Sequence, residues 1–412
     1  MKKLGMGLVG PGFIAAHHLD AVRRLGDVEI IGIAGSSLDS AKKRARELNA
    51  GRAYASYQEL LADPAVQVVH NTTPNYLHKE VSLAVLRAGK HVISDKPLAS
   101  NVQESRGLYK AARDAGVAHV VTFNYRSHAL VQQARAMIAK GKLGAPVFVH
   151  GCYLQDWLTD DQTYSWRLDP KLGGASSALG DIGSHWCDLA EHVTGARITA
   201  VLADLHTAVP IRHAPAESTK AFAKSKSAQR RKVEITSEDL ASVLLRFDNG
   251  ARGCVTVGQV LPGHKNDLRL EVSGRLASLA WRQEQPNELW IGHHAQPNTL
   301  LSRDPALLDP SARGYAHLPA GHPEAWSDAF RNLMADAYAW IRRGGTPETK
   351  PAALPTFADG YRNSLLVDAM LKSHAAGGVW QSVEDHIVEH RLLEHRLEPK
   401  LNGPKQRRGT RG

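Results

Sequence analysis

The chain has 412 residues and a formal net charge of +10, and 43% of its residues are hydrophobic. This length allows two domains with sizeable cores, and the composition is ordinary for a globular enzyme. No apolar run approaches the roughly 20 residues that a membrane span needs, and glycines near the N-terminus interrupt any signal-peptide core. The three cysteines show no paired spacing, which favours the reducing cytoplasm.

Basic residues are concentrated in two segments, 212–232 and 396–412, which together account for the whole positive excess. We interpret the first as a basic insertion loop at a hairpin tip and the second as a disordered tail, because neither has apolar periodicity. A nucleic-acid-binding protein is expected to carry its basic patch on the folded body. The sequence therefore predicts neither a nucleic-acid partner nor a membrane partner.

The N-terminus contains a glycine turn between a short apolar strand and a helix. Gly10, Gly12 and Ala15 form a GxGxxA pattern, with Phe13 and Ile14 inside it. Between a strand and a helix, such glycines let the backbone approach a pyrophosphate, which faces the helix N-terminus. The sequence predicts a dinucleotide-binding site at this turn.

The end of the second predicted strand bears on the choice of cofactor. It carries Ser36 and Ser37, and Lys42 follows on the next helix. A site for NAD usually has an acid here for the ribose hydroxyls, whereas small hydroxyls near a cation accept a 2′-phosphate. This pattern favours NADP, and Asp39 keeps NAD open as the alternative.

Strands and helices continue to alternate up to residue 125, which predicts a doubly wound parallel sheet for a domain at 1–125. The ligands of such a sheet lie beyond the carboxyl ends of its strands. Polar residues follow three strands there: Thr73, Pro74 and Asn75, then Asp95 and Lys96, then Asn124. We expect these residues to lie near the cofactor, although Asn75 could also be a simple helix cap.

Residues 126–395 show a different pattern, in which strands dominate. An Asp-Asn-Gly sequence at 248–250 predicts a hairpin turn between two of them. The pattern indicates an α+β domain with a large, mostly antiparallel sheet. We expect helices at Trp326–Ile341 and Phe357–His374 to return and pack on the first domain.

Asp181, His185 and Asp188 are spaced so that they share one face of a predicted helix. A carboxylate next to a histidine makes an oriented general base, with His185 taking the proton of an alcohol and Asp181 supporting its charge. Lys96 can stabilise the developing alkoxide. The structural alternative is that Asp181 caps the helix and His185 packs in it. No metal is required, and the histidines show no ligand-spaced cluster.

A loop rich in aromatic residues precedes this helix and supplies most candidates for binding the substrate. The candidates are Tyr153, Trp157, Trp166, Arg167 and, from the start of the second domain, Arg126. Aromatic rings can stack on a sugar ring, and guanidinium groups can bind its hydroxyls. Ordinary packing between domains is the alternative for each of them.

Several of these groups occur together in the order and spacing of a known family. They are the glycine turn Gly10–Ala15, Thr73-Pro74-Asn75 with His78, Asp95-Lys96-Pro97, Asn124-Tyr125-Arg126, and Asp181 with His185. As a set covering roughly residues 1–380, they resemble the glucose-fructose oxidoreductase / inositol dehydrogenase / rhizopine catabolism (Gfo/Idh/MocA) family. Segments 285–290 and 321–326 are similar to a branch that includes levoglucosan dehydrogenases.

The resemblance implies a Rossmann domain followed by an open-faced sheet that mediates homodimers or homotetramers. It implies hydride transfer between NAD(P) and a secondary alcohol or ketone of a sugar, anhydrosugar or cyclitol. The implied roles are Lys96, Asp181 and His185 in catalysis and at the substrate, and His78, Asp95 and Asn124 at the cofactor. Two residues depart from the family pattern, because Asp95 replaces the usual Glu and Asn71 replaces an apolar or small residue.

Two other functions remain open. The same fold could reduce a different carbonyl or an imine. The family also includes transcriptional regulators that bind nucleotide without turnover, but a regulator has no need of the complete set Lys96, Asp181 and His185.

Overall fold

The computed structural model describes residues 2–215, 230–345, 349–351 and 353–383. Its first sheet is built from β1 (Leu4–Val9), β2 (Val28–Ala34), β3 (Arg52–Tyr54), β4 (Val68–Asn71), β5 (His91–Ser94) and β6 (His119–Val121). All six strands are parallel, in the spatial order β3-β2-β1-β4-β5-β6. This is the doubly wound sheet that the sequence predicted.

The connecting helices are α1 (Ala15–Arg23), α2 (Leu38–Leu48), α3 (Tyr57–Ala62), α4 (Asn75–Arg87) and α5 (Val102–Ala115). Three of them begin at a polar residue, Ser37, Ser56 or Asn101, whose side chain accepts a hydrogen bond from the backbone N–H three residues later. Such caps satisfy amides that a helix start leaves unpaired. Local sequence therefore fixes where these helices begin.

The remaining elements begin with a 3₁₀ turn at Asn124–Ser127 and run to the end of the described chain. The helices are α6 (Ala129–Ala139), α7 (Pro170–Gly173), α8 (Ser184–Thr194), α9 (Pro310–Arg313), α10 (Trp326–Arg342) and α11 (Phe357–Ala375). The strands are β7 (Pro146–Leu154), β8 (Ile198–His206), β9 (Ile211–Pro215), β10 (Arg230–Glu234), β11 (Leu240–Phe247), β12 (Arg252–Gly258), β13 (Asp267–Gly274), β14 (Ala277–Arg282), β15 (Glu288–His293), β16 (Thr299–Ser302) and β17 (Gln381–Ser382). Within the described ranges, no helix is both long and apolar enough to cross a membrane.

The second sheet has nine strands in the order β16-β15-β14-β13-β7-β12-β11-β8-β17. Only the β7–β12 pair is parallel, and the Asp-Asn-Gly hairpin joins β11 to β12 as predicted. Buried and exposed residues alternate along β11, which is typical of a sheet with one covered face. The covered face packs on α6, α8 and α11 in the largest apolar cluster. The prediction of an open-faced, mostly antiparallel sheet is confirmed.

Helices α10 and α11 return to the first sheet. Phe330, Leu333 and Ala337 of α10 pack with strands β1 and β2 and helix α1, and Phe357 and Tyr361 of α11 pack on its other side. The predicted return of the two C-terminal helices is therefore confirmed. The boundary between the two domains at residue 125 stays a prediction.

The prediction of a basic loop at 212–232 needs a correction at both of its ends. Strands β9 and β10 pair in antiparallel register, from Ile211 opposite Glu234 to Pro215 opposite Arg230. Arg212 is fully buried and donates to the backbone oxygens of Asp160 and Thr163. Strand pairing and this burial were not visible in a sequence so rich in charge. Residues 216–229 and the tail at 396–412 lie outside the described residues.

Candidate active site

The glycine turn packs directly on the loop that follows β4. Gly10 has φ +86°, and a side chain there would place its Cβ 2.6 Å from the Cα of Thr73. Only glycine fits this combination of a left-handed backbone and a close approach. At Gly12 the nearest atom to a built Cβ is 4.0 Å away, so space remains beside the turn. Phe13 is 56% exposed and Ile14 immediately precedes α1.

Arg44 of α2 holds the glycine turn from outside. Its Nε donates to the backbone oxygen of Pro11 at 2.8 Å, and its Nη2 donates to that of Gly12 at 3.2 Å. The sequence did not predict this contact, because an arginine on a helix usually lies on its solvent-exposed face. Its contacts fix the turn without using any backbone N–H that a phosphate would need.

The residues predicted to select the cofactor lie together at the end of β2. Ser36 and Lys42 are exposed, and Ser37 caps α2 by accepting from the N–H of Ser40 at 3.2 Å. Asp39 lies in the first turn of the same helix and is also exposed. The structure therefore brings two hydroxyls, a lysine and one acid to this edge of the sheet.

His78 lies deeper than the sequence suggested. It is 1% exposed, its Nδ1 lies 2.7 Å from the backbone oxygen of Pro97, and its Nε2 lies 2.8 Å from that of Thr73. Burial lowers the pKa of His78. Backbone carbonyls lie against both ring nitrogens, so His78 joins the loops after β4 and β5. Its expected place at the cofactor stays a prediction.

Other residues around these loops are also tied to backbone or to each other. Asn75 donates to the backbone oxygen of Gly173 at 3.0 Å, directly after Pro74. Asn71, one of the two departures from the family pattern, accepts from the Thr73 hydroxyl at 2.7 Å. Asp95 accepts from the Thr122 hydroxyl. Asn71 thus orders the loop that faces the glycine turn.

Asn124 differs from these residues because its amide lacks a partner. The side chain is 2% exposed, and its Nδ2 makes no hydrogen bond within the described part of the chain. A buried donor without an acceptor is costly, so such groups in native proteins usually face a ligand or an ordered water. The unpaired amide of Asn124 is therefore an indication of a ligand near the end of β6.

Lys96 and Asp181 form the centre of the site. The Lys96 Nζ donates to Asp181 twice, to the Oδ1 and to the backbone oxygen, each at 2.7 Å. Gln259 donates to the other carboxylate oxygen at 2.8 Å, and the Arg167 Nε lies 3.5 Å from Oδ1. Burial would raise the pKa of Asp181, but these cations outweigh burial and lower it. Asp181 is an anion that bridges two cations.

Asp181 does not sit in an ordinary helix. Residues Leu179–Gly183 form a π turn before α8, in which the Ser184 N–H bonds to the Leu179 oxygen. Short π segments insert one extra residue and occur frequently at functional sites. The carboxylate accepts from side chains and not from helix amides, so the alternative of Asp181 as a helix cap does not match the structure.

His185 stands apart from Asp181, contrary to the predicted oriented pair. No hydrogen bond joins the two among the described side chains, and the His185 Nδ1 is buried without a partner. The imidazole packs edge-on against the rings of Phe123 and Tyr125. Burial, followed by the charge of Lys96, lowers the pKa of His185 well below its ordinary value. The lowered pKa favours the neutral form of the ring.

Among the other predicted substrate residues, Arg167 lies beside Asp181, and the Tyr153 ring lies 6.4 Å from that of His185. The Arg167 guanidinium stacks on the Trp166 ring at 4.6 Å, and its Nη1 is buried without a hydrogen bond in the described structure. The Trp157 indole donates to Gln155, which in turn contacts Gln259. Tyr153 is 3% exposed and bonds to Asn266 at 2.6 Å. The Nη1 of Arg167 is therefore an unpaired donor next to Asp181, whereas the Tyr153 hydroxyl is already bonded to Asn266.

Comparison with known proteins matches both halves of the chain. Residues 4–123 match the oxidoreductase family with an NAD-binding Rossmann fold, and residues 131–280 match the GFO/IDH/MocA C-terminal domain. A levoglucosan dehydrogenase of Pseudarthrobacter phenanthrenivorans is 30% identical over 93% of this chain and 99% of its own. The chain belongs to the Gfo/Idh/MocA family.

Solved structures of the Gfo/Idh/MocA family agree with this assignment. A levoglucosan dehydrogenase in complex with NADH and levoglucosan has a TM-score of 0.83 and 29% identity, over 93% of this chain and 100% of its own. An inositol dehydrogenase homologue from Azotobacter vinelandii in complex with NADH and myo-inositol has a TM-score of 0.80 and 28% identity, over 92% and 98%. This member is thus an oxidoreductase that binds a nicotinamide dinucleotide.

Arg126 of this Gfo/Idh/MocA protein, predicted to bind the substrate, forms ion pairs with two carboxylates. It is 7% exposed, donates from Nε to Asp188 at 2.8 Å, and donates from Nη2 to Asp359 at 2.8 Å. Burial raises the pKa of Asp188 to about 6. The guanidinium joins the 3₁₀ turn, α8 and α11. A contact between Arg126 and the substrate stays a prediction. Asp188, which was predicted to share one helix face with Asp181 and His185, belongs to the ion pair with Arg126.

The two segments that suggested the levoglucosan dehydrogenase branch meet in space. Asn287, from segment 285–290, exchanges hydrogen bonds of 2.8 and 3.0 Å with the backbone of Glu324, from segment 321–326. Trp326 then packs edge-on against His17 of α1, with 5.0 Å between ring centroids. The segments thus connect the end of the second sheet to the dinucleotide-binding helix.

Proposed function

We propose that this protein is an NAD(P)-dependent dehydrogenase that oxidises a secondary alcohol of a sugar, anhydrosugar or cyclitol. The observation that carries the proposal is the Lys96–Asp181 pair beside a neutral, buried His185. The names of the relatives, which are dehydrogenases of such compounds, support the substrate class.

The residues of the dinucleotide site fit the cofactor. Gly10 needs its missing side chain, Gly12 leaves open space, and Asn124 has a buried donor without an acceptor. We assign the glycine turn to the pyrophosphate, Ser36, Ser37 and Lys42 to the adenosine ribose, and Thr73, Asp95 and Asn124 to the nicotinamide end. When bound, the nicotinamide ring supplies the hydride acceptor.

The side chains then divide the remaining chemistry. His185, neutral because of its burial, accepts the hydroxyl proton of the substrate. Lys96 stabilises the oxygen as it gains negative charge, and Asp181 holds the ammonium group in place through two hydrogen bonds. The Arg167 Nη1 and the Trp166 ring bind a neighbouring part of the sugar. Removal of proton and hydride together converts the carbinol to a ketone.

A panel of substrates tests the proposal. Purified protein is incubated with sugars, anhydrosugars including levoglucosan, and inositols, and NAD(P)H formation is followed by absorbance. We expect turnover with at least one compound, and turnover that is slower by roughly 10²–10⁴ with the Lys96→Ala variant. Wild-type protein that binds NAD(P)H but turns over nothing in the panel, in either direction, would support the alternative of a regulator. Activity confined to imines or other carbonyls would support the second enzyme function.

We propose NADP as the preferred cofactor, because two exposed serines and Lys42 surround the expected position of the 2′-phosphate. The Ser36→Asp variant should shift the preference towards NAD, since a carboxylate repels the phosphate and accepts from ribose hydroxyls. The ratio of kcat/KM for the two cofactors measures this shift. Asp39→Asn is the control, and a large loss of NAD use in that variant would favour the alternative. Wild-type protein that ignores NADP would contradict the proposal.

The open face of the second sheet supports the proposal of a homodimer or homotetramer. Paired residues form a continuous row across eight strands of this face: Leu202, Leu244, Cys254, His150, Glu271, Ala280, Trp290 and Leu300. Leu244 and Leu300 are 48% and 53% exposed, so apolar area lies open along the row. The particle mass in solution tests this, and a monomer would overturn it.

We also propose a cytoplasmic location. Cys152, Cys187 and Cys254 are all free thiols, as expected for a reducing compartment. Cell fractionation tests this, and recovery of the protein outside the cytoplasm would contradict it.

A further inference from the structure

A single buried carboxylate holds the backbone in front of the π turn. Glu238, in the connection between β10 and β11, is 4% exposed. Its Oε1 accepts from the Ser176 hydroxyl at 2.6 Å, from the Ser177 N–H at 3.0 Å and from the Leu179 N–H at 2.9 Å. Its backbone oxygen accepts from the Ala178 N–H at 3.1 Å. Four hydrogen bonds thus join one distant residue to this short segment.

These contacts account for the amides that a helix start leaves unpaired. Ser177, Ala178 and Leu179 bond to Glu238, and the Gly180 N–H bonds to the Ser176 hydroxyl at 2.8 Å. A carboxylate at this position also interacts favourably with the helix dipole. Burial raises the pKa of Glu238, and the same hydrogen bonds oppose that rise. Glu238 therefore caps three of these four amides, and the neighbouring Ser176 caps the fourth.

The capped segment controls the position of Asp181. Leu179 donates its N–H to Glu238 and accepts at its backbone oxygen from Ser184, which closes the π turn. Asp181 lies inside this turn, and its backbone oxygen and carboxylate both bond to the Lys96 ammonium. A shift of the backbone at Leu179 would move both acceptors at once.

We propose that Glu238 is a positioning residue for the dehydrogenase reaction, acting through the π turn on the two acceptors of Asp181 that hold Lys96. The inference rests on the proposed function. Glu238 touches neither substrate nor cofactor, and its effect reaches the reacting atoms only through Asp181 and Lys96. Such positioning is sensitive, because a misplacement of about 1 Å can cost on the order of 10²-fold in rate.

Two substitutions at Glu238 test the proposal. Glu238→Ala removes the acceptor, and we expect kcat to fall by about 10- to 100-fold, with KM and the cofactor Kd nearly unchanged. Glu238→Gln keeps an oxygen that can accept the same three hydrogen bonds, so it should restore most of kcat. The pH profile of kcat should change in Glu238→Ala, because Lys96 loses part of its fixed anionic partner, and should return to normal in Glu238→Gln.

Glu191 provides a matched control at the other end of α8. It is similarly buried, and it accepts from the Ile198 N–H at 2.7 Å and from Arg362 at 2.8 Å. Glu191→Ala should lower stability without changing the pH profile or kcat of the folded protein. If both alanine variants reduce kcat alike, or if Glu238→Ala leaves kcat unchanged, the proposal is wrong. Ser176→Ala, which removes two of the hydrogen bonds, replaces Glu238→Ala if that variant fails to fold.

A second readout separates this proposal from the proposed function. Labelling of Lys96 by an amine-reactive anhydride, measured by peptide mass spectrometry, needs no substrate. We expect more labelling at Lys96 in Glu238→Ala than in wild type or Glu191→Ala, because the ammonium is held less firmly. Increased labelling in a protein without dehydrogenase activity would uphold the positioning role and reject only the proposed reaction. Unchanged labelling together with unchanged kcat would reject the positioning role itself.

Discussion

Replacing Lys96 by alanine is expected to lower kcat by roughly 10²–10⁴, and replacing His185 by alanine should have an effect of the same order. In the proposed reaction Lys96 stabilises the alkoxide as it forms, and His185 accepts the hydroxyl proton. Both act mainly in the transition state, so the cofactor Kd should barely change. Stopped-flow or steady-state kinetics with NAD(P)H-binding fluorescence measures both quantities.

The structure also predicts which of these residues depend on each other. Asp181→Asn removes the carboxylate charge that faces Lys96, so kcat should fall about as much as in Lys96→Ala. The kcat of the double variant should be little lower than that of either single variant. The effects of His185→Ala and Asp181→Asn on the activation free energy should instead be close to additive, since no hydrogen bond joins those two residues. Strong coupling between Asp181 and His185 would restore the oriented pair that the sequence suggested.

Lys90→Ala is the control for the lysine substitution. Lys90 donates its partly buried ammonium to the backbone oxygens of Asp63 and Val66, away from the site. Its loss should reduce stability and leave kcat unchanged. A fully active Lys96→Ala, or an equal loss in Lys90→Ala, would contradict the assigned role of Lys96.

Replacing Arg126 by methionine is expected to lower the free energy of unfolding by about 3–5 kcal/mol, the cost of leaving a buried charge unpaired. The substitution would remove the cation from Asp188, whose side chain is 4% exposed, and from Asp359, whose side chain is 22% exposed. Urea denaturation of the two proteins measures the difference. Arg52→Met is the control, because Arg52 is 74% exposed in its ion pair with Asp63 and should contribute less than about 1 kcal/mol.

The destabilisation should depend on pH in a defined direction. Burial already raises the pKa of Asp188 to about 6, whereas Asp359 has its pKa lowered to about 2, where the charge of Arg126 outweighs burial. Without Arg126 both values should rise, so the folded variant binds protons that wild type does not. Protonation removes the unpaired charges, and the cost of the substitution should therefore be larger at pH 8 than near pH 5. An effect independent of pH would show that the ion pairs are not its cause.

The sequence predicted features that depend on neighbouring residues. The glycine turn, the polar strand ends and the Asp-Asn-Gly hairpin each follow from residue types at a short spacing, and all of them lie where the sequence placed them. The open-faced sheet could be expected from the density of strands together with the family resemblance. The meeting of Lys96 with Asp181 depended on that resemblance, since 85 residues separate them.

The features that the sequence missed depend on distant partners. The π turn changes which residues share a face, and it is held by Glu238, far along the chain. Arg126 follows the predicted site residue Asn124 closely in the sequence. In the structure, however, carboxylates of α8 and α11 determine where its guanidinium points. Gln259 reaches Asp181 because β12 ends next to the π turn that contains Asp181. Periodicity and motif spacing carry no information about such contacts.

The return of α10 has a consequence for how this chain can be made. Phe330, Leu333 and Ala337 cover an apolar face of the dinucleotide-binding sheet, and they are synthesised some 200 residues after the last strand of that sheet. Until they emerge from the ribosome, the part of that face next to α1 lacks the cover that α10 provides. A fragment cut after β6 would keep it exposed, so the dinucleotide-binding half is not a portable module that can be grafted elsewhere without its last helices.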